Sequence, residues 1–190
     1  ASDISEQISL AGKEASGTSN MKFMMNGAVT LGTLDGANVE ISNFVGEDNA
    51  VIFGMREEEV KAIKFNGTYN PFDIYNSDPQ IKAVMDSLLD GTFSSDHEQF
   101  RMIFDEIMYR NDEFMVLKDL ESYLQGCKKI ETDYLNRDKW GRECLVNIAC
   151  SGWFSSDRTI AEYNRDIWHL KKIHWWITNT NEGRRMIVSR

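Results

Sequence analysis

Proline is scarce, with two in 190 residues, and no Ser/Gly-rich stretch accompanies them. That scarcity argues against a flexible tether between separately folded parts. Long apolar runs are missing too: nothing approaches the roughly 18 consecutive apolar residues that mark a membrane helix. The start, Ala1-Ser2-Asp3-Ile4, shows no basic n-region and no apolar h-region, so no secretory leader is expected. Cysteine is limited to Cys127, Cys144 and Cys150, an odd set without CxxC spacing. This speaks against a zinc site or a disulfide framework and fits a reducing cytoplasm. Cys127 and Cys144 lie on helical apolar patterns and read as small buried hydrophobes. His97, His169 and His174 have no metal-ligand spacing. A basic excess is also absent. The net charge of −9 argues against binding the phosphate backbone of a nucleic acid.

What is present supports a folded domain. Hydrophobic residues make up 42%, with five tryptophans, and the length suffices for one domain with a sizeable core. The first third reads as α/β. A helix is expected near residues 18–27, then a short strand over Ala28-Val29-Thr30-Leu31 and a turn from Gly32 to Gly36. A helix from Asn38 to Val45 ends at Gly46, and Ala50-Val51-Ile52-Phe53 is a continuous apolar run closed by Gly54. Apolar on both faces, that run fits a buried parallel strand, so the segment predicts a βαβ unit.

The remainder reads as helices. Glu57-Glu58-Glu59 ahead of Lys61 and Lys64 complement a helix dipole, and Glu57 with Lys61 is an i, i+4 pair. Asp78-Pro79 is a cap followed by proline at the first helical position, and Ile81, Val84, Met85, Leu88 and Leu89 form the stripe after it. Asp96 is expected to open a helix with Phe100, Ile103, Phe104 and Ile107. Asp119 is expected to precede a long one with Leu120, Tyr123, Leu124, Cys127, Ile130 and Tyr134. Further helices are expected near 138–149 and 156–168. In the closing stretch Lys171, Lys172, Arg184, Arg185 and Arg190 outnumber Glu182, and His174-Trp175-Trp176-Ile177 forms an aromatic cluster. The plain expectation there is a terminal segment docked by two tryptophans; the alternative is an interface with the missing part of the protein or with a second subunit.

One stretch points to chemistry: Glu14-Ala15-Ser16-Gly17-Thr18-Ser19-Asn20-Met21-Lys22, running into Phe23-Met24-Met25-Asn26-Gly27. It reads as a helix N-terminus capped by Thr18 or Ser19. Met21, Met24, Met25 and Ala28 then fall on one apolar face. Lys22 is thereby expected in the first turn, where exposed N–H groups and the macrodipole favour negative charge. Phosphate bound at the helix N-terminus, or a neutral lysine ready to form an imine, would resolve that conflict. Asp35, between glycine-flanked turns, reads as a turn former with no catalytic role.

The run E-A-S-G-x-S-x-M-K-x-x-M-N, from Glu14 to Asn26, resembles the pyridoxal-phosphate attachment signature of the glycogen and α-glucan (maltodextrin) phosphorylases. The resemblance continues through Gly32-Thr33-Leu34-Asp35-Gly36-Ala37-Asn38-Val39-Glu40, Ile52-Phe53-Gly54-Met55 and Phe154-Ser155-Ser156-Asp157-Arg158-Thr159-Ile160. It implies an α/β fold: the C-terminal part of the second Rossmann-like domain of a two-domain GT-B glycosyltransferase, short parallel strands followed mostly by helices. Residues 1–168 would form that part, 1–55 being α/β with the cofactor site and 56–168 mainly helical. Residues 169–190 would be a divergent tail.

The resemblance also implies the chemistry. Pyridoxal 5′-phosphate would attach to Lys22 as a Schiff base, the catalytic centre of the segment. Its phosphate would lie near Thr18 and Ser19, the latter often glycine in the family. Glu14, Ser16 and Gly17 would face the sugar, Glu14 accepting from a glucose hydroxyl and the other two offering backbone N–H groups. The reaction implied is phosphorolysis of a terminal α-1,4-glucosidic bond, in which orthophosphate releases glucose 1-phosphate from a glucan with retained configuration. The residues that clamp substrate phosphate belong to an N-terminal part outside this chain, so the isolated fragment is expected to be inactive. A homodimer of the whole protein is left open. Two alternatives stand beside this: a folded, non-catalytic interaction module with Lys22 unmodified, and a nucleotide-sugar glycosyltransferase of similar architecture without the cofactor.

Overall fold

The computed structural model describes residues 2–171 in full and the backbone of 174–180 and 183–189. Residues 1–152 and 153–190 form two separate units.

The first unit opens with a strand that the sequence pattern does not signal, β1 (Ile4–Gln7), of which only Ser5 is fully buried. After it come α1 (Thr18–Met25), β2 (Val29–Thr33), α2 (Asn38–Val45) and β3 (Val51–Phe53). β2 is the central strand, and all five of its residues are buried. It pairs in parallel with β1 (Ile4 opposite Val29) and with β3 (Leu31 opposite Val51). The expected βαβ unit is therefore present, preceded by a second one. Parallel pairing of three consecutive strands has one functional consequence: the segments 8–17, 34–37 and 54–56 all leave the sheet at its carboxyl end, where open α/β sheets bind ligands.

Helices then dominate: α3 (Glu57–Asn66), α4 (Pro71–Ser77), α5 (Pro79–Ser87), α6 (Arg101–Met108), α7 (Val116–Leu135) and α8 (Arg137–Cys150). Asp78 caps α5 through the amides of Gln80 and Ile81, as the Asp-Pro pair predicts. Glu57 and Lys61 form their ion pair at 2.6 Å. Two helix starts differ from expectation. Asp96 accepts from the Glu98 amide in a turn, and α6 begins only at Arg101. α7 begins at Val116, so Asp119 lies inside its first turn and turns its carboxylate onto the Met55 amide at 2.9 Å.

Three apolar clusters hold the unit together. Val29, Leu31, Val51 and Phe53 of the sheet pack on Ile130 of α7 and Trp140 of α8, with Cys127 and Cys144 at the margin. Leu10, Ala11, Met55, Val60 and Met115 pack beneath the segment that follows β1. Ile81, Met85, Phe104, Met108 and Leu117 join α5, α6 and α7. Each fully buried Val, Leu, Ile, Phe or Met side chain among them contributes about 1.5–3 kcal/mol. Among the described residues no helix is long and apolar enough to cross a membrane.

In the second unit α9 (Ser156–Tyr163) is capped by Ser155 and continues as one π-type turn through Trp168. Then β4 (His174–Thr180) and β5 (Gly183–Ser189) form an antiparallel hairpin. The expectation that Trp175 and Trp176 dock the tail lies outside the described residues.

Candidate functional site

The site assembles where β1 and β2 end. The chain leaves β1, passes Leu10 and Ala11 in the second apolar cluster, and reaches Glu14, Ser16 and Gly17 before entering α1. Gly17, not Thr18 or Ser19, is the N-cap. Its φ of 85° is a left-handed conformation that glycine adopts without steric cost, and no side chain caps the helix. Thr18 and Ser19 are instead the first two helical residues, and both are exposed. Their amides are among those an α-helix leaves without an internal partner.

Lys22 is the fifth residue of an eight-residue helix, so it lies in the last turn. The expected conflict between its charge and the helix dipole is therefore absent, because the last turn favours a cation. Its spacing still matters. Thr18 and Ser19 precede it by four and three residues, so all three share one helix face, and the side chain leans toward the N-terminus. Lys22 is exposed, and no hydrogen bond or ion pair holds its ammonium among the described residues. The apolar face is narrower than expected: Met24 is buried, whereas Met25 is 57% exposed.

Glu14 and Ser16 meet directly. The Ser16 amide donates to Glu14 Oε1 at 3.3 Å, and both residues are exposed. Glu14, Ser16, Gly17, Thr18 and Ser19 thus lie where the chain leaves β1 and enters α1, and Lys22 lies one turn further along that helix.

Four further residues fix them there, and the sequence pattern gives them no such role. Asp35 is buried in the turn after β2, and its Oδ2 accepts from the Glu14 amide at 2.7 Å, the Lys13 amide at 3.1 Å and Ser9 Oγ at 3.2 Å. Burial alone would raise its pKa. The donors from Glu14, Gly12, Lys13 and Ser9 outweigh that and hold the carboxyl below its ordinary value. Beside it, a Cβ on Gly36 would come within 2.7 Å of the Ser16 carbonyl and 2.9 Å of Glu14 Cγ. Asn20 and Asn38 form a buried relay: Asn20 Nδ2 donates to Asn38 Oδ1 at 2.8 Å, and Asn38 Nδ2 donates to the Thr33 carbonyl at 3.0 Å. The available signal was Asp35 and Asn38, polar residues in the turn and helix start directly after an apolar strand.

Three parallel strands followed by helices make this an α/β protein, and the segments at their carboxyl ends are where such sheets bind ligands. A family model described as carbohydrate phosphorylase matches residues 1–170. The chain belongs to that family. It is 52% identical over 171 residues to a glycogen phosphorylase of Bacillus subtilis, covering 90% of this chain and 21% of the relative. It is 48% identical over 172 residues to the brain form of glycogen phosphorylase from Mus musculus, covering 90% of this chain and 20% of the relative. With the liver form from Homo sapiens it shares 45% over 187 residues, 98% of this chain and 22% of the relative. That alignment extends past residue 170, where the family model stops. The chain spans about a fifth of the length of these curated relatives.

Proposed function

We propose that this chain is the cofactor-bearing part of an α-1,4-glucan phosphorylase. Joined to the rest of its enzyme, it would use orthophosphate to release glucose 1-phosphate from glycogen, starch or maltodextrin. The observation that carries this reading is the family match across residues 1–170 together with a lysine one turn along from a helix terminus that no side chain caps. In the same reading the three parallel strands are the closing part of the second Rossmann-like domain of a GT-B enzyme. The three cysteines are free thiols, which suits a reducing cytoplasm.

The residues present suit pyridoxal 5′-phosphate. The amides of Thr18 and Ser19 point out of the helix terminus and would hold its phosphate, with the helix dipole in support. Lys22, on the same face, reaches back toward those amides and offers the only kind of group in this cluster that attaches an aldehyde. When bound, the cofactor would supply a phosphate group that supports protonation of the leaving glycosidic oxygen.

Sugar recognition falls to the neighbouring segment. Glu14 would accept from a glucose hydroxyl, and the Ser16 and Gly17 amides would donate to adjacent oxygens. The Ser16–Glu14 hydrogen bond is long at 3.3 Å. A hydroxyl that donates to the carboxylate and accepts from the amide would insert between them at little cost, and until then the bond keeps Glu14 oriented.

Substrate phosphate would be clamped by residues from the part of the enzyme outside this chain. The test is therefore a glucose 1-phosphate assay on three proteins. The complete enzyme should release product from glucan and orthophosphate, while its Lys22→Ala variant and the pure 190-residue chain should not. Release by the chain alone, or at the full rate by the variant, would contradict the proposal.

A further inference from the structure

We propose that Asp35 is a positioning residue: with Gly36 and Ala37 it sets the placement of the sugar-facing segment Glu14–Gly17, while the cofactor helix α1 is placed by a separate contact. The inference deepens the phosphorylase reading and rests on its assignment of Glu14, Ser16 and Gly17 to the sugar.

The turn after β2 touches the sugar-facing segment in three independent ways. Asp35 Oδ2 gathers the amides of Lys13 and Glu14 and the Ser9 hydroxyl. Ala37 donates its amide to the Ser16 carbonyl at 2.6 Å. Between them Gly36 has no side chain where Ser16 and Glu14 pass, so the two backbones approach more closely than any Cβ would allow. Charged acceptors bind amides about twice as strongly as neutral ones, and here one charged oxygen takes three donors. The carboxylate is buried, so those bonds face little competition from water. Asp35 itself is turned onto the backbone of the segment, whereas Glu14, which it orients, is exposed. It would therefore act through Glu14 and not on substrate.

Helix α1 is placed differently. The Asn20–Asn38–Thr33 relay ties its first turn to the start of α2 and the end of β2 without using Asp35. Loosening the Asp35 grip should thus weaken sugar binding and spare cofactor loading.

The experiment reads glucose affinity and cofactor content in the complete holoenzyme, wild type against Asp35→Ala, Asp35→Asn and Gly36→Ala. Amide hydrogen exchange in the 190-residue chain is measured alongside. Asp35→Ala and Gly36→Ala should each weaken glucose binding about tenfold, the loss of roughly one charge-assisted hydrogen bond, with cofactor content unchanged. The amides of Lys13 and Glu14 should exchange faster in the Asp35 variants, and those of α7 should not. If the alanine variant does not fold, Asp35→Asn, which keeps the shape and one acceptor oxygen, reads the same quantities with a smaller shift. Unchanged glucose affinity together with unchanged exchange in Asp35→Asn would overturn the proposal. So would a fall in cofactor content that tracks the loss of sugar affinity, since that marks a merely structural residue. Should the wild-type enzyme carry no cofactor on Lys22, the phosphorylase reading fails, and amide exchange alone then decides whether Asp35 grips the segment.

Discussion

Two turns at the same end of the sheet are each fixed by an aspartate, and the two aspartates behave in opposite ways. After β2, Asp35 is met by the amides of Lys13 and Glu14 and by Ser9, and its carboxyl is held below the ordinary value against the pull of burial. After β3, Asp119 reaches from α7 to the single amide of Met55. Burial pushes its carboxyl up, the Met55 amide offsets this only in part, and Glu59 and Asp112 push it further. The number of donors decides the sign. Enough of them make a charged oxygen the most favourable occupant of a buried turn, and too few make the charge a burden. The well-supplied turn borders the proposed ligand site, where the backbone must hold still. The other turn joins the sheet to its helical cover, where the apolar clusters carry the stability.

Substitutions test that contrast, from the largest effect to the smallest. Asn38→Ala should cost most, because it strands the buried Asn20 Nδ2 and takes from the Thr33 carbonyl one of two donors, leaving it the Asp35 amide. With about 1–3 kcal/mol for the unpaired amide and about 1 kcal/mol for the second lost hydrogen bond, a loss of about 3 kcal/mol is expected in urea unfolding. Asp35→Ala should cost about 2 kcal/mol, as expected for hydrogen bonds to a charged group. Asp119→Asn should do the reverse at neutral pH. The amide still accepts from Met55, the charge near Glu59 and Asp112 is gone, and stability should rise by less than about 1 kcal/mol after allowance for solvent screening. Lys61→Ala removes only an exposed i, i+4 pair with Glu57 and should leave the unfolding midpoint unchanged.

The pH dependence sharpens the same comparison. The folded-state pKa of Asp35 is lowered, so its contribution is present above the unfolded value and is lost as pH falls toward the folded one. For Asp119 the folded value is raised, so its contribution is present below the unfolded value and is lost as pH rises through the folded one. Urea midpoints measured from acid to neutral pH should therefore show a shallower acid-side fall in Asp35→Asn. Asp119→Asn should show less decline toward neutrality. Shifts in the same direction for both variants would break the contrast.

The sequence carried much of this architecture because its signals were local. The Asp78-Pro79 cap, the Glu57–Lys61 pair and the apolar runs that became β2 and β3 each depend on a few adjacent residues. Errors arose where a distant partner decides. β1 reads as polar because Ser5, Glu6 and Gln7 make up three of its four residues, and its strand state comes from pairing with β2. Asp119 reads as preceding its helix, but it lies in the first turn of α7 and serves Met55, 64 residues away. At the site the signature run located Glu14, Ser16, Gly17, Thr18, Ser19 and Lys22 on one stretch. It misplaced the cap, because the left-handed φ of Gly17 starts the helix one residue earlier and leaves Lys22 in the last turn of a short helix. The grip of Asp35 was invisible because its partners lie 21 to 26 residues before it.

The central claim is that Lys22 carries the cofactor, and borohydride reduction followed by peptide mass mapping tests it most directly. After incubation of the protein with pyridoxal 5′-phosphate, the account predicts a pyridoxyl group on the peptide containing Lys22 and on no other lysine peptide in comparable yield. An unmodified Lys22, or labelling spread evenly over the surface lysines, would contradict it.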